Sequence, residues 1–206
     1  MAFIAIEGID GAGTTTQARL VAQWIADMHI GVAETSEPTH GPIGQVIRQF
    51  LSHKNPSYTT LEKHAQLLAL LFAADRLQHM ATTVLPALNN GQHVVTDRCY
   101  LSSFAYQSIG AELDWIRSLN RDCRRADVIV VLDIDAAVAH ERIVKRTLFK
   151  DLEVFETVEK MEIIRRHYLD ISATLQEEGD DVLIIGADCP VDVVTDKIKQ
   201  AVLKHL

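Results

Sequence analysis

The sequence lacks the features of a membrane, secreted or disulfide-stabilised protein. Its 206 residues contain three cysteines, Cys99, Cys123 and Cys189, whose odd number and wide spacing favour reduced thiols over a disulfide framework or a metal site. No apolar run approaches the ~20 residues of a transmembrane helix. The N-terminus has no basic segment and reaches a carboxylate at Glu7, which argues against a signal peptide. We therefore expect a cytoplasmic protein with no membrane partner.

Positive charge is also in short supply. The chain has 28 acidic and 20 basic residues, and its formal net charge of −8 argues against broad nucleic-acid binding. The nine histidines form no pair at metal-ligand spacing, so we expect no zinc site. With 48% hydrophobic and 23% charged residues, the composition is that of a folded globular protein. The overall charge still allows a local basic pocket for a small anion.

The chain has no Pro/Gly/Ser-rich linker, low-complexity tract or internal repeat, so we expect one domain over residues 1–206. Short β-branched runs alternate with longer helical stretches. This alternation predicts an α/β fold with a doubly wound parallel sheet, whose ligands bind beyond the carboxyl ends of the strands. The predicted strands are 3–7, 32–36, 93–97, 128–134 and 182–185, and the predicted helices are 15–29, 43–52, 60–89, 100–108, 112–124, 135–147, 156–177 and 190–205.

A glycine-rich segment, 8–16, follows the first predicted strand and opens a helix. Gly8, Gly13 and Thr15 fit the pattern G-x-x-x-x-G-K-[ST], in which backbone N–H groups converge on phosphate oxygens. The strand–helix context and a third glycine favour phosphate binding over the alternative, an ordinary glycine turn. Thr14, however, stands where the pattern has lysine. Other cations must therefore supply charge to the transferring phosphoryl group, or catalysis is weak.

Charged residues stand inside this loop and at the end of the third predicted strand. Asp10 could orient a sugar hydroxyl or a metal-bound water, or it could simply cap the loop. Asp97 and Arg98 directly follow a buried strand, where charge is costly unless it faces a polar cleft. Asp97 suits the shell of a magnesium ion and Arg98 suits a phosphate, with a structural ion pair as the alternative.

Two predicted helices offer groups that could bind a nucleotide. Phe72 and Arg76 share a helical face, where a ring can stack on a base and a guanidinium can bind its phosphate. For Phe72 alone, core packing is the alternative. A second patch combines hydroxyl, amide and ring groups that suit a planar base, although such a patch taken alone is more often solvated surface. It comprises Ser102, Ser103, Tyr106 and Gln107.

A basic segment, about 139–153, follows the fourth predicted strand. Between Glu141 and Lys150 its net charge is +3, and Arg142 and Arg146 share one helical face. The segment emerges at the edge of the sheet that carries the glycine loop. A cationic lid that closes on a phosphate and excludes water is therefore favoured over the alternative, a solvated helix surface.

Taken together, these segments resemble the thymidylate kinase family, in the nucleoside monophosphate kinase group of P-loop proteins. The resemblance runs nearly from end to end and in family order, and its most specific motifs are FAADR and DR-x-x-x-S-S-x-A-Y-Q. The matching segments are 3–17, 34–44, 70–79, 94–107 and 128–134 with the basic lid. The resemblance implies a three-layer fold with a five-stranded parallel sheet flanked by helices, and a homodimer. It also implies Mg²⁺-dependent transfer of the ATP γ-phosphate to dTMP, giving dTDP and ADP.

Carried over residue by residue, the resemblance implies a donor site, a metal site and an acceptor site. The ATP-binding residues would be Gly8, Ile9, Asp10, Gly11, Ala12, Gly13, Thr14, Thr15, Thr16 and Arg142, and the metal ligands would be Thr15, Asp10 and Asp97, partly through water. The catalytic residues would be Asp10, Asp97, Arg98, Arg142 and Arg146. The dTMP-binding residues would be Asp10, Pro38, Phe72, Arg76, Arg98, Ser102, Ser103, Tyr106 and Gln107.

Within the acceptor site, the resemblance implies separate roles for the ring and the arginines. Phe72 would stack on thymine, Arg76 would hold the dTMP phosphate, and Arg98 would bridge the donor and acceptor phosphates. Asp10 would lie near the sugar 3′-hydroxyl and the metal. The hydroxyl, amide and ring groups of the second patch would address the base and the sugar.

The sequence departs from the family pattern at three positions. Thr14 replaces the loop lysine, and one hypothesis is that Arg146 or Lys150 of the lid occupies the lysine's place. Ser36 stands where many members have arginine, and Cys99 replaces a tyrosine, which predicts looser selectivity for deoxyribose. The alternatives are a kinase for another nucleoside monophosphate and a catalytically weak, nucleotide-binding relative.

Overall fold

The central feature of the fold is a parallel five-stranded sheet with the strand order β2-β3-β1-β4-β5. A computed structural model describes residues 1–52, 60–147 and 155–206, and the structural statements below concern those residues. The strands are β1 (Phe3–Gly8), β2 (Val32–Ser36), β3 (His93–Asp97), β4 (Val128–Asp133) and β5 (Val182–Gly186). The predicted α/β class is confirmed, and each strand lies within about one residue of its predicted position.

Helices connect the strands and flank the sheet. None of the helices in the described parts of the chain combines the length and the apolar character needed to cross a membrane. The helices are α1 (Thr14–Asp27), α2 (Pro42–Leu51), α3 (Leu61–His79), α4 (Leu85–Asn89), α5 (Tyr100–Gln107), α6 (Leu113–Leu119), α7 (Ala136–Thr147), α8 (Val158–Glu177) and α9 (Val191–Val202), followed by a 3₁₀ turn at Leu203–His205.

Burial explains why the strand sequences differ across the sheet. β1 pairs with β3 on one side and β4 on the other, and all six of its residues are buried. Its near-continuous apolar run suits a strand that is covered on both faces. β2 and β5 are the edge strands and carry partly exposed positions. Glu7 is the one acidic residue in the fully buried β1.

The strand order reverses at β1, which fixes where a ligand can bind. From β1 the chain runs outward to β2, returns through β3, and then crosses to β4 on the other side of β1. Such a reversal leaves a crevice beyond the carboxyl ends of the strands. Ile6 pairs with Asp97, and Gly8 pairs with Leu132, so the ends of β1, β3 and β4 are level with one another. The glycine loop and the Asp97–Arg98 segment therefore face the same crevice.

The helix predicted over 60–89 contains a π-helical turn. Met80–Val84 form this turn between α3 and α4. Pro86 has no N–H group, and in a regular α-helix its ring would meet the carbonyl of Thr82 four residues earlier. The wider π-helical turn lies just before Pro86, where a regular helix would bring the ring against this carbonyl.

The helix predicted over 112–124 ends earlier than expected. α6 stops at Leu119, and the side-chain amide of Asn120 donates to the carbonyl oxygen of Ile116 at 2.8 Å. The amide oxygen of Asn120 accepts a hydrogen bond from buried Arg76. A long-range contact that the local sequence does not reveal thus accompanies the end of this helix.

Candidate active site

The glycine loop between β1 and α1 has the backbone geometry of a phosphate-binding loop. Gly11 and Gly13 have positive φ angles of 82° and 97°, which side chains rarely tolerate. A Cβ atom on Gly11 would lie 2.4 Å from the carbonyl oxygen of Ala139, so glycine allows α7 to approach the loop. Gly13 is the N-cap of the 14-residue helix α1, whose first turn contains no acidic residue. The free N–H groups of this helix end suit an anion.

The glycine loop forms one wall of a cavity of about 290 Å³. Both predicted lid arginines, Arg142 and Arg146, line this cavity, as does Arg98. The lysine-free loop therefore shares its cavity with three arginines. Residues 148–153 of the predicted lid, including Lys150, lie outside the described residues. The other lining residues are Asp10, Gly11, Gly13, Thr14, Thr15, Thr16 and Ile143.

The two lid arginines differ in how they are held. The guanidinium of Arg142 donates to the carbonyl oxygens of Gly11 at 3.5 Å and Ala187 at 3.2 Å. Arg146 is exposed and makes no hydrogen bond or ion pair with any residue in 1–52, 60–147 or 155–206. Of the two, Arg146 is therefore the cation that is free to turn toward a ligand beside Thr14.

Two of the three residues predicted to hold magnesium, Thr15 and Asp97, offer oxygens that suit such an ion, whereas both carboxylate oxygens of Asp10 already accept hydrogen bonds. The hydroxyl of Thr15 donates to Oδ2 of Asp97 at 2.5 Å, so the loop and the end of β3 are joined at this point. The other carboxylate oxygen, Oδ1 of Asp97, is buried and has no hydrogen-bond partner among the described residues. An unpaired buried carboxylate oxygen is costly unless a ligand satisfies it. Hydroxyl and carboxylate oxygens are the donors that Mg²⁺ prefers.

Arg98 connects the glycine loop to the neighbouring helix. Its guanidinium donates to the carbonyl oxygen of Gly8 at 2.7 Å and to Oδ1 of Asp10 at 2.7 Å. The partner of Arg98 is thus Asp10 and not Asp97, so the structural ion pair considered for residues 97 and 98 does not form. Arg98 has a positive φ of 71°, unusual for a residue with a side chain. Tyr106 donates to Oδ2 of Asp10 at 2.9 Å and accepts from the Asp10 backbone N–H at 3.0 Å.

A second cavity of about 280 Å³ adjoins the first and contains the predicted acceptor residues. The side-chain oxygen of Gln107 is buried without a hydrogen-bond partner in the described structure, so it is available to a ligand. Phe72 is partly buried and lines the cavity. Predicted residues that line the cavity are Asp10, Pro38, Phe72, Arg76, Arg98, Ser102, Ser103, Tyr106 and Gln107.

The phosphate role predicted for Arg76 does not fit its position. Arg76 has no exposed surface, and it donates to Glu37 at 2.8 Å and to the hydroxyl of Ser103 at 3.1 Å. It also donates to the carbonyl of Cys99 and to Asn120. Burial alone would lower the pKa of Arg76, but the carboxylate of Glu37 raises it. Arg76 therefore forms the floor of the cavity, and Arg98, beside the glycine loop, is the arginine placed to meet a phosphate.

Cys99 lines the acceptor cavity beside Arg76 and Glu37. Its thiol is buried, and Sγ is 4.0 Å from Oε1 of Glu37. Burial raises the pKa of the Cys99 thiol well above its usual value. The looser selectivity for deoxyribose that Cys99 suggests stays a prediction. Ser36 lines a larger cavity of about 880 Å³ that Thr15 and Asp97 also line and that shares Glu37, Pro38 and Arg48 with the acceptor cavity.

Several residues that shape the acceptor cavity have no recognisable signal in the sequence. Arg48 of α2 lines it and donates to the carbonyl oxygens of Thr39 and Pro38, both at 2.6 Å. Phe155 packs edge-on against Tyr106, with 5.6 Å between ring centroids. Glu37 pairs with Arg76. No local pattern distinguishes these residues from ordinary surface or core positions, because each reaches the site through the fold.

The fold and the site define the class of protein. A glycine loop at the switch point of a parallel sheet, a facing set of arginines and a second cavity next to the first are the parts of a P-loop phosphotransferase. The adjoining acceptor cavity, with its ring and buried polar groups, places the protein among the nucleoside monophosphate kinases.

Comparison with known proteins agrees and is more specific. The sequence model described as thymidylate kinase matches residues 6–198. A probable thymidylate kinase of Thermococcus onnurineus is 36% identical over 206 residues, covering 98% of this chain and 97% of the relative. A probable thymidylate kinase of Methanosphaera stadtmanae is 35% identical, covering 99% and 98% of the two chains. The chain belongs to the thymidylate kinase family, whose members are ATP:dTMP phosphotransferases.

The close approach at Gly11 generates a prediction about the donor site. We expect Gly11→Ala to weaken the binding of a non-hydrolysable ATP analogue by at least roughly tenfold, because the added Cβ would lie 2.4 Å from Ala139 O. Gly91→Ala is the matched control, since Gly91 also has a positive φ, of 78°, but has no atom within 4 Å of the added Cβ. Isothermal titration calorimetry should show nearly unchanged affinity for the control. Equal losses in both variants would contradict the steric explanation.

Proposed function

We propose that this protein transfers the γ-phosphate of ATP to dTMP, giving ADP and dTDP. The observation that supports this most is the shared wall of the two cavities. Asp10 and Arg98 line both the cavity at the glycine loop and the cavity that contains Phe72. A phosphoryl group passing between two nucleotides must cross such a boundary, so these residues are placed to contact both substrates.

The proposed position of dTMP follows from the ends of the acceptor cavity. Its phosphate binds at Arg98, the end nearest the glycine loop, where the guanidinium can contact the transferring group. Its base lies deeper in the cavity, stacked on Phe72 and hydrogen-bonded by Gln107, above the buried floor at Arg76. The sugar then lies between them, beside Asp10.

The proposed position of ATP follows from the loop. The backbone N–H groups of 8–16 and the first turn of α1 bind its phosphates, and Arg142 covers the donor side from α7. Thr15, Asp97 and Asp10 would hold the magnesium ion. When bound, Mg²⁺ supplies positive charge to the phosphate oxygens.

Catalysis in this arrangement relies on positioning and charge. Phosphoryl transfer requires little covalent chemistry from the protein, which instead aligns the attacking and leaving oxygens and stabilises the charge between them. Arg98 provides positive charge from the end of β3, and the lid residues Arg142 and Arg146 provide it from α7. Closure of the lid over the phosphates would exclude water and so favour dTMP over water as the acceptor.

The test of the proposed function is ADP release from Mg·ATP with and without dTMP. We expect turnover that depends on dTMP and on magnesium, with dTMP preferred in a panel of nucleoside monophosphates. Preference for another acceptor would instead establish a related kinase. No turnover with any acceptor, despite saturable dTMP binding, would establish a binding protein that has lost the donor chemistry.

The missing loop lysine generates a second prediction. Arg146 lines the cavity beside Thr14 and has no partner in the described structure, so we propose that it takes over the lysine's charge. Arg146→Ala should lower kcat by at least ~100-fold, as loss of an arginine that stabilises the transition state does. In a Thr14→Lys background the same change should cost less than about tenfold, because the restored lysine replaces it. Steady-state kinetics of the four proteins provide this comparison.

A neighbouring cation is the control for this comparison of four proteins. Lys145 precedes Arg146 but is exposed and pairs with Glu141 at 2.6 Å on the helix surface. Lys145→Ala should leave kcat within about twofold in either background, since an exposed pair contributes little. If Arg146→Ala lowers kcat equally with and without the loop lysine, then Arg146 does not replace the charge of the lysine. That result would leave the proposed kinase activity of the wild type unaffected.

The proposal extends to assembly as a homodimer in the cytoplasm. α3 exposes Leu70, Ala74 and Leu77 at helical spacing, and the two leucines are each 49% exposed. An apolar stripe of this kind suits burial against a second copy. We expect Leu77→Glu to yield monomers in size-exclusion chromatography with light scattering. Leu203→Glu, at a 57% exposed leucine near the C-terminus, should leave the mass unchanged. A wild-type monomer would contradict the proposed assembly.

A further inference from the structure

Glu7 is a buried carboxyl group to which the proposed phosphoryl transfer assigns no role. It lies near the end of β1 and has no exposed surface. Its Oε1 accepts hydrogen bonds from the backbone N–H groups of Cys99 at 2.8 Å and Ser102 at 3.3 Å. Its Oε2 accepts from the hydroxyls of Ser102 at 2.6 Å and Tyr168 at 3.1 Å. A charge buried this deeply is costly and requires these partners.

The same two hydroxyls also contact Arg98. Nη1 of Arg98 donates to the hydroxyl oxygen of Ser102 at 3.1 Å and to that of Tyr168 at 3.2 Å. Each hydroxyl has one proton and can otherwise only accept. The two hydroxyl oxygens are also 2.7 Å apart. Ser102 donates to Glu7, and Tyr168 donates either to Ser102 or to Glu7, so in both cases each oxygen keeps a lone pair for Arg98. The carboxylate, which can only accept, therefore sets the direction of the Ser102 proton directly and limits that of Tyr168.

A neutral group at position 7 would disturb this arrangement. An amide places two N–H donors where Oε2 stands, so both hydroxyls must accept from it. One hydroxyl can still donate to the other, but the second proton is left with only the N–H groups of Arg98, which cannot accept a hydrogen bond. Arg98 would then lose at least one of its two hydroxyl acceptors, while Gly8 and Asp10, both on the loop side, remain. A protonated carboxyl adds one such donor and removes the negative charge that faces Arg98.

We infer that Glu7 is a positioning residue for the acceptor phosphate: through the hydroxyls of Ser102 and Tyr168, its carboxylate holds Arg98 in the orientation that binds the phosphate of dTMP. This inference rests on the proposed function. It assigns Ser102 to the support of Arg98, whereas the sequence suggested direct contact with base or sugar. It also gives Tyr168 of α8 a function, although the sequence does not distinguish this residue from core.

The ionisation of Glu7 offers a pH-dependent readout. Burial raises the pKa of Glu7 from 4.5 to about 7, although Ser102, Arg98, the Cys99 N–H and Tyr168 lower it. The titratable groups that face Glu7 are Arg98, Cys99 and Tyr168, and the pKa values of all three are raised above their ordinary values, away from neutrality. The support of Arg98 should therefore weaken as the pH falls below about 7, where Glu7 becomes protonated.

The decisive experiment compares dTMP with thymidine, which lacks the phosphate. Calorimetry of Glu7→Gln should show dTMP affinity reduced by roughly 10- to 100-fold, the range for weakening a hydrogen-bonded charged group, and thymidine affinity within about twofold of wild type. The matched control is Asp127→Asn. Like Glu7, Asp127 accepts a hydrogen bond from a backbone N–H, that of Phe3, but at the opposite end of β1. Its dTMP-to-thymidine preference should equal that of wild type.

Two further readouts separate positioning from general destabilisation. The dTMP-to-thymidine preference of wild type should decline below about pH 7 more steeply than that of Glu7→Gln, whose side chain does not titrate; ionisation of the ligand phosphate is common to both proteins. Tyr168→Phe should lower dTMP affinity several-fold and leave thymidine affinity unchanged, because it removes one hydroxyl from Arg98. This variant decides the question if Glu7→Gln does not fold.

The outcomes distinguish this inference from the proposed function. If wild type neither prefers dTMP to thymidine nor turns it over, the proposed function fails and the inference fails with it. If wild type is an active dTMP kinase but Glu7→Gln and Tyr168→Phe keep the wild-type preference, only the role of Glu7 is overturned. Equal losses for both ligands would likewise overturn it, since they would indicate a general structural role.

Discussion

The site depends on the contacts of one arginine at the end of β3. Arg98 reaches the carbonyl of Gly8 and the carboxylate of Asp10 on one side, and the hydroxyls of Ser102 and Tyr168 on the other. These contacts join the glycine loop, α5 and α8 around a single guanidinium. The planar, always charged group is suited to this, since its five N–H donors point in fixed directions. The register of β1 against β3 makes the contacts possible, because it places the ends of the two strands side by side.

Charge is distributed unusually across this site because the loop lacks its lysine. In the usual pattern one cation stands within the loop, whereas here the cations lie around it, directly after β3 and on α7. The loop contributes its backbone amides and the end of α1. This division makes the donor site depend on the position of α7, which packs close enough to Gly11 to exclude even a methyl group there.

The sequence predicted the fold well and the site unevenly, for physical reasons. Buried parallel strands are short β-branched runs, and a phosphate loop requires glycines, so both leave local patterns. The spacing of Phe72 and Arg76 correctly places them at one cavity, but spacing cannot show which end of the cavity holds the phosphate. The support of Arg98 left no pattern, because Tyr168 and Glu7 are 161 residues apart in the chain. The π-turn before Pro86 and the early end of α6 likewise depend on interactions beyond periodicity.

The buried guanidinium of Arg76 shows at which step the protein loses side-chain entropy. Arginine is among the side chains with the most rotamer freedom, and fixing it costs about 2 kcal/mol. In this protein Glu37, Asn120, Ser103 and the Cys99 carbonyl already hold it in one position. The loss of side-chain entropy therefore occurs during folding and is not repeated when a ligand arrives. The floor of the acceptor cavity is therefore ordered before any nucleotide binds, and binding there requires no further loss of side-chain entropy from Arg76.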